Sequence, residues 1–276
     1  MHTDECEIHE VAVDGYVAEQ VSTGRWTVST GETRQAILGR FVRDMAGGEL
    51  TAVSVSSWIA GRSYSAYYRR ARWSAVSGYL RWAGVDLELV APAAPTPAPR
   101  PLKDVDVGRL LGACDARAEV IVSLGICEGL RRGEMAGLQL SDIDFDGSVL
   151  FVSGKGGKQR WIPLTKATGV RIQRYLDAER GHASGPLVLS RRNGQALTGK
   201  SIGALVRRVM KKAGISGPGV NLHALRHTAA TRLWMETSDL FMTQQLLGHA
   251  NIRTTAMYVK ARPTAEMREA MNRCST

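Results

Sequence analysis

The chain has 276 residues, 44% of them hydrophobic, and 36 Lys and Arg against 26 Asp and Glu give it a net charge of +10 and a pI near 9.8. That length suits one or two domains with a real core. No apolar run is long enough to span a bilayer, the acidic start MHTDECEIHE is not a signal peptide, and Cys6, Cys114, Cys127 and Cys274 form no CxxC pair, so they read as free thiols of a reducing cytoplasm. The charge is uneven. Residues 1–90 carry 9 basic and 11 acidic side chains, a net −2, and residues 91–276 carry 27 and 15, a net +12. Six of the acids fall in residues 1–19, which leaves residues 20–90 at +4. Both halves can therefore face a polyanion.

The first half reads as a small helical bundle. Thr33–Ala46 puts Ile37, Leu38, Phe41, Val42 and Met45 on one stripe. Ser63–Ala83 does the same with Tyr67, Trp73, Val76 and Leu80, and Arg62, Arg69, Arg70, Arg72 and Arg81 accompany it without an acid. A phosphate-facing helix and a merely solvated one both fit this pattern, and Arg62, Arg69, Arg70 and Arg72 are the candidates for phosphate contact. Residues 91–101 (APAAPTPAPRP) hold five of the nine prolines, which rules out a helix or a central strand. This is a semi-stiff spacer of roughly 30 Å at about 3.1 Å per residue. It divides the chain into residues 1–90, 91–101 and 102–276.

Past the spacer, Val105–Glu128 reads as a helix. Gly147–Leu164 reads as a β-hairpin with a Gly-Lys-Gly-Gly turn. Val170–Arg180 and Ser201–Ala213 are expected helices, and Leu222 to the end is mostly helical with a break near Gly248. The whole is thus mainly α with a small antiparallel β-sheet: a helical domain followed by an α+β domain.

Four short motifs follow in order: GLRRGE (Gly129–Glu134), GKGGK (Gly154–Lys158), LHALRHT (Leu222–Thr228), and LLGH with Tyr258 nine residues after His249. Each alone is weak. Arg131 and Glu134 read singly as a surface salt bridge of little energy, Lys155 as a solvated turn residue, His223 and His249 as structural histidines. Together they supply what covalent attack on a phosphodiester needs. Two guanidinium forks match the non-bridging oxygens as charge develops on them. A lysine at a hairpin tip can protonate the leaving 5′ oxygen. A phenol is strong enough to attack and good enough to leave again. Histidine can accept the phenol proton or bond to the phosphate near neutral pH. No HExxH, carboxylate cluster or Cys/His zinc spacing is present, so neither metal nor other cofactor is expected.

In this order the motifs resemble the tyrosine recombinase (phage integrase) family over about residues 103–262, in the manner of a simple integrase or Xer-like enzyme. The resemblance implies Arg131, Lys155, His223, Arg226, His249 and Tyr258 as the catalytic set, with Glu134 in the G-L-R-x-x-E setting and His227 following Arg226 as it often does. It implies a core-binding domain in residues 1–90 and a catalytic domain in 102–276 that clamp DNA, with Lys158 and Arg160 as further DNA contacts. It also implies site-specific cutting and rejoining through a 3′-phosphotyrosyl link, without metal or ATP. The partners it implies are double-stranded DNA with defined core sites, a homotetramer on DNA and a monomer when free, and accessory DNA-bending proteins. The place of work is the cytoplasm, at the nucleoid when bound to DNA, with no membrane. Thr237 stands where the family often has glycine, no additional arm-binding domain is expected, and the tail with Ala265–Asn272 packs either on its own domain or on a neighbour. The rival readings are a non-catalytic DNA-binding regulator on the same fold, a type IB topoisomerase-like relaxing enzyme, and a metal-dependent nuclease.

Overall fold

The computed structural model describes residues 10–61, 63–93, 99–154, 157–217, 219–249 and 251–261, and the chain divides into two compact units, Met1–Thr96 and Pro97–Thr276. Arg62, Lys155, residues 94–98 of the Pro-rich segment and the tail Ala265–Asn272 lie outside the described residues.

Among its described residues the first unit contains four helices, α1 (Glu10–Ser22), α2 (Val28–Met45), α3 (Ala52–Ala60) and α4 (Ala66–Trp82). Each start after α1 has a side-chain cap: Thr27, Thr51 and Ser65 accept from the amides of Thr30, Ser54 and Tyr68. The predicted stripe on α2 is the buried one, with Leu38 and Phe41 at 0% exposure against Val55, Val76 and Tyr79. Burying such a stripe against neighbouring helices is what stabilises short helices in water.

Two expectations for α4 are corrected. Tyr67 is half exposed and does not extend the apolar stripe. Arg72 is only 3% exposed and does not face a phosphate: its guanidinium carbon sits 3.5 Å from the Trp58 ring centroid and 4.3 Å from that of Tyr64. The helical period decides this, because Arg72 falls on the same face as Ala75, Val76 and Tyr79. Its fork is shielded by aromatic faces rather than by an acid. Arg70 stays exposed and donates to the Pro92 carbonyl, while Arg69 is half-buried.

The second unit is built round α6 (Ala116–Ile126), in which Ala118, Val120, Ile121, Val122, Leu124 and Ile126 are all buried. A helix that is apolar all round belongs in the middle of a core. The helical stretch expected over Val105–Glu128 is present as two helices, α5 (Asp104–Gly112) and α6. Asp115 breaks it by capping α6, its Oδ1 accepting from the Ala118 amide at 2.8 Å. Helices α8 (Lys166–Tyr175), α9 (Gly199–Lys212) and α10 (Leu222–Thr237) pack on α6. The expected helix at Val170–Arg180 starts earlier and ends in a wider π turn, Leu176–Arg180.

The sheet is β1 (Ile143–Asp144), β2 (Val149–Ser153) and β3 (Gln159–Pro163) in that order, antiparallel, with Phe151 opposite Trp161 and Val152 opposite Arg160. The hairpin is thus where the alternation predicts it. Leu150, Val152 and Ile162 turn inward, and Trp161 is exposed. The other described elements are short: α7 (Arg132–Gly137), α11 (Leu240–Leu247) and α12 (Ile252–Thr255), with 3₁₀ turns over Leu140–Asp142 and Ala256–Ala261. Among the described residues no helix is long and apolar enough to cross a membrane.

Arg72→Ala should lower stability by about 1–3 kcal/mol, because it removes a buried stacked side chain. Arg70→Ala should stay within about 0.5 kcal/mol. Urea unfolding followed by tryptophan fluorescence measures both.

Candidate functional site

The site begins where α6 ends. Gly129 takes a positive φ of 65°, and a Cβ there would lie 3.2 Å from the Leu247 side chain. This turn delivers Arg131 to the N-cap of α7, with Glu134 one turn on. Glu134 is buried. Its Oε2 accepts from the Arg131 amide at 2.8 Å and its Oε1 from Arg131 Nη1 at 2.7 Å. Arg160 reaches the same carboxylate from β3 with both terminal nitrogens, at 2.9 and 3.1 Å. Arg226 Nη1, from α10, lies 3.9 Å from Oε2. Burial alone would raise the Glu134 carboxyl, but the bonds from Arg160 and Arg131 outweigh it and hold it at about 2.

The three guanidinium groups are also fixed by backbone carbonyls. Arg131 Nη2 donates to Gly248 O at 3.1 Å and Arg160 Nε to Leu246 O at 3.1 Å. Arg226 donates to Gly129 O and Leu247 O, both at 2.5 Å. The carbonyls of Leu246, Leu247 and Gly248 sit at the end of α11 and just past it, where helical carbonyls have no intrahelical partner, and that of Gly129 lies in the turn after α6. Gly248 closes α11 in the left-handed region at φ 59°, and a Cβ there would meet the Arg160 guanidinium at 2.9 Å. The Leu-Leu-Gly-His motif is therefore a bracket for three arginines. Burial pulls Arg226 down to about 10, and the Arg131 charge adds to this, yet the group stays cationic at neutral pH.

The histidines share one cleft of about 480 Å³ with Arg131, Arg226 and Tyr258. His249 Nδ1 is 2.9 Å from Thr255 Oγ1, and burial together with the nearby arginines pushes the ring down to about 4. His223 keeps much of its surface exposed, and the desolvation it does meet, with Arg226, Arg132 and Arg131, also lowers it. His227 is lowered by burial, then by His223 and Arg226. All three are neutral imidazoles at pH 7. Tyr258 is 1% exposed, packs on Ala230, Trp234 and Leu247, and has its oxygen 2.9 Å from His227 Nδ1. Burial raises the phenol, against an opposing pull from Arg226 and Arg131. The cleft brings guanidinium groups, three imidazoles and a phenol together, a lining that suits an anion; among the described residues no cluster of His, Cys, Asp or Glu could hold a metal ion.

Of the expected catalytic set, Arg131, His223, Arg226, His249 and Tyr258 line this one cleft. Glu134 is no surface salt bridge but the buried centre of the cluster. Arg160 is corrected from DNA contact to anchor: its side chain is 15% exposed and committed to Glu134 and Leu246. Strand alternation carried that signal, since Arg160 lies two residues before the buried Ile162 and opposite the buried Val152. Lys158 is exposed at the start of the hairpin's second strand. Sequence reasoning gave His227 no contact; its bond to Tyr258 spans 31 residues and left no local trace.

A second buried carboxylate, Glu128, precedes the Gly129 turn and accepts from the Thr165 amide and hydroxyl and the Thr168 hydroxyl. It ties the arginine-bearing turn to the start of α8. Burial raises it to about 6 despite those bonds.

The sequence profile of the phage integrase family matches residues 101–264. Tyrosine recombinase XerA of Pyrococcus horikoshii is 35% identical over 205 residues, which cover 72% of this chain and 70% of that protein. Of solved structures, the crystal structure of XerA recombinase covers 96% of this chain and 98% of its own at 26% identity and a TM-score of 0.57. A lambda integrase tetramer bound to a Holliday junction covers 90% and 76% at 19% identity and a TM-score of 0.74, a likeness of fold.

Glu134→Ala leaves buried guanidinium groups without their anion and should destabilise the chain by about 3–5 kcal/mol. The carboxyl is held below its usual 4.5, so its contribution is complete above that value and is lost as pH falls toward about 2. Acid unfolding from about pH 5 downward should show this slope in the wild type, and Glu134→Gln should lack it.

Proposed function

The chain belongs to the phage integrase family of tyrosine recombinases, and from that premise we propose how its residues divide the chemistry. It is a site-specific recombinase that cuts and rejoins DNA strands. The observation that carries the assignment of roles is the gathering of Arg131, His223, Arg226 and His249 in one cleft with Tyr258.

Tyr258 Oη attacks the scissile phosphorus and forms a 3′-phosphotyrosyl link, releasing a 5′ hydroxyl. Arg131 and Arg226 receive the developing negative charge on the non-bridging oxygens. Their orientation is fixed beforehand by Glu134 and three carbonyls, so little reorganisation accompanies the reaction. His249 Nδ1 is paired with Thr255 Oγ1; we assign the Thr255 hydroxyl as donor, so that His249 carries its proton on Nε2 and offers it to a phosphate oxygen, and His223 supports the phosphate from the mouth of the cleft. We assign protonation of the leaving oxygen to Lys155. The phosphotyrosyl bond keeps the phosphodiester's energy, so rejoining needs no ATP.

We assign residues 1–90 to core-site binding, 91–101 to the linker and 102–276 to catalysis, the two domains clamping double-stranded DNA at a defined site. Arg69, Arg70 and Lys158 are the remaining candidates for phosphate contacts among the described residues. A homotetramer carries out the paired exchanges, by analogy with the lambda integrase tetramer on a Holliday junction. It works on DNA inside the cell, with accessory DNA-bending proteins as further partners.

The test is a nicked duplex from DNA flanking the chain's own gene, incubated with protein and resolved on a denaturing gel. A covalent protein–DNA band should form with wild type, persist in EDTA and be absent with Tyr258→Phe. Arg226→Ala should cut adduct formation by about 10²–10³-fold while site binding persists. Binding should weaken steeply with salt, as Lys and Arg displace counterions. Binding without an adduct at any candidate site would favour the regulator; a band with Tyr258→Phe would displace the nucleophile.

A further inference from the structure

Among the described side chains, the one hydrogen-bonded to the Tyr258 oxygen is His227, at 2.9 Å through Nδ1 with the ring centroids 5.7 Å apart. The other two histidines of the cleft are differently engaged. His249 turns Nδ1 to Thr255, and His223 sits at the mouth, its amide capped by Asn221. The phenol is fully buried beside Leu247 and Trp234, where bulk water cannot take its proton as it attacks. We propose that His227 is a further catalytic residue, the base that accepts the phenol proton of Tyr258 during attack and returns it during rejoining. This rests on the reading of Tyr258 as the nucleophile.

The step balances. The Oη–H bond breaks and the proton moves to Nδ1 of His227, which carries its own proton on Nε2 and becomes an imidazolium. The electron pair left on Oη forms the bond to phosphorus. The bond from phosphorus to the 5′ oxygen breaks, and that oxygen takes a proton from Lys155. In rejoining, a DNA 5′ hydroxyl attacks and gives its proton to Lys155, the bond from phosphorus to Oη breaks, and Oη recovers its proton from His227. The imidazolium also adds a positive charge beside the phosphotyrosyl group while the link exists.

The surroundings suit a base that starts neutral. His227 faces His223 and Arg226 on its own helix, Tyr258 from the C-terminal turn and His249 from the loop after α11. Burial, then His223 and Arg226, lowers the ring, so Nδ1 is free to accept throughout the neutral range. Burial raises the phenol, so Tyr258 arrives protonated and depends on an acceptor at contact distance.

The experiment is single-turnover adduct formation on the nicked duplex across pH, with wild type, His227→Ala and His227→Gln, alongside gel-shift binding. Wild-type rate should level off by neutral pH. The variants should bind the duplex normally yet react about 10²-fold more slowly at neutral pH. Their rate should keep climbing, about tenfold per pH unit, because the phenol must ionise by itself, and added imidazole should speed His227→Ala. Wild-type rate and pH profile in both variants would overturn the proposal. A measurement on the wild type stands apart from folding of the variants: ¹⁵N-histidine spectra should show Nδ1 of His227 unprotonated at neutral pH, and a proton fixed on Nδ1 would overturn it. Failure of the underlying reading looks different, as wild type would then bind the duplex and form no adduct at all.

Discussion

One buried carboxylate holds the catalytic half of this chain together. Glu134 bonds to Arg131 beside it in sequence and to Arg160 from the sheet, and lies 3.9 Å from Arg226 on α10. A lone carboxylate at this burial would be strongly unfavourable, as would three guanidinium groups without an anion. Each makes the others tolerable, and the carbonyls of Gly129, Leu246, Leu247 and Gly248 take up remaining donors. Three cations against one anion still leave two positive charges unmatched. An arriving phosphodiester brings the missing negative charge, and more of it in the transition state.

Burial sets the protonation of the groups nearby, and that surplus modifies it. The surplus adds to burial in keeping His223, His227 and His249 neutral, so they offer lone pairs and single N–H donors rather than more positive charge. The phenol feels the two effects in opposition, and burial prevails. A phenol stored protonated is a weak nucleophile until a neighbour takes its proton. The glycines at 129 and 248 belong to the same design. Each turns the chain through a positive φ, and at Gly248 the absence of a Cβ lets the Arg160 fork lie against the backbone.

The hairpin, the buried face of α2 and the end of α11 at Gly248 were legible because each follows a local rule: alternation, helical period, left-handed cap. Other residues were misread where a local rule was available but charge was weighed above it. Arg72 lies on the apolar face of its helix and Arg160 on the inward face of its strand, and both are inside. An arginine can be buried when its fork is stacked on aromatic faces or bonded to a carboxylate, as these two are. The break between α5 and α6 was written in Asp115, a capping residue in the middle of an apolar run.

The sequence by itself determined the order and spacing of the catalytic motifs, the helical and hairpin elements that carry them, and the basic charge that suits a polyanion. Chemistry of this kind needs particular residue types, and residue types are visible one at a time. Only the tertiary structure decided which charges meet. The Arg160–Glu134 pair spans 26 residues, the Arg226–Gly129 bond 97 and the Arg131–Gly248 bond 117. Such contacts depend on how α6, α10 and the sheet pack around a shared apolar core. No local pattern encodes that packing, so the same arginine reads identically in sequence whether it will hold a phosphate, a buried carboxylate or a tryptophan face.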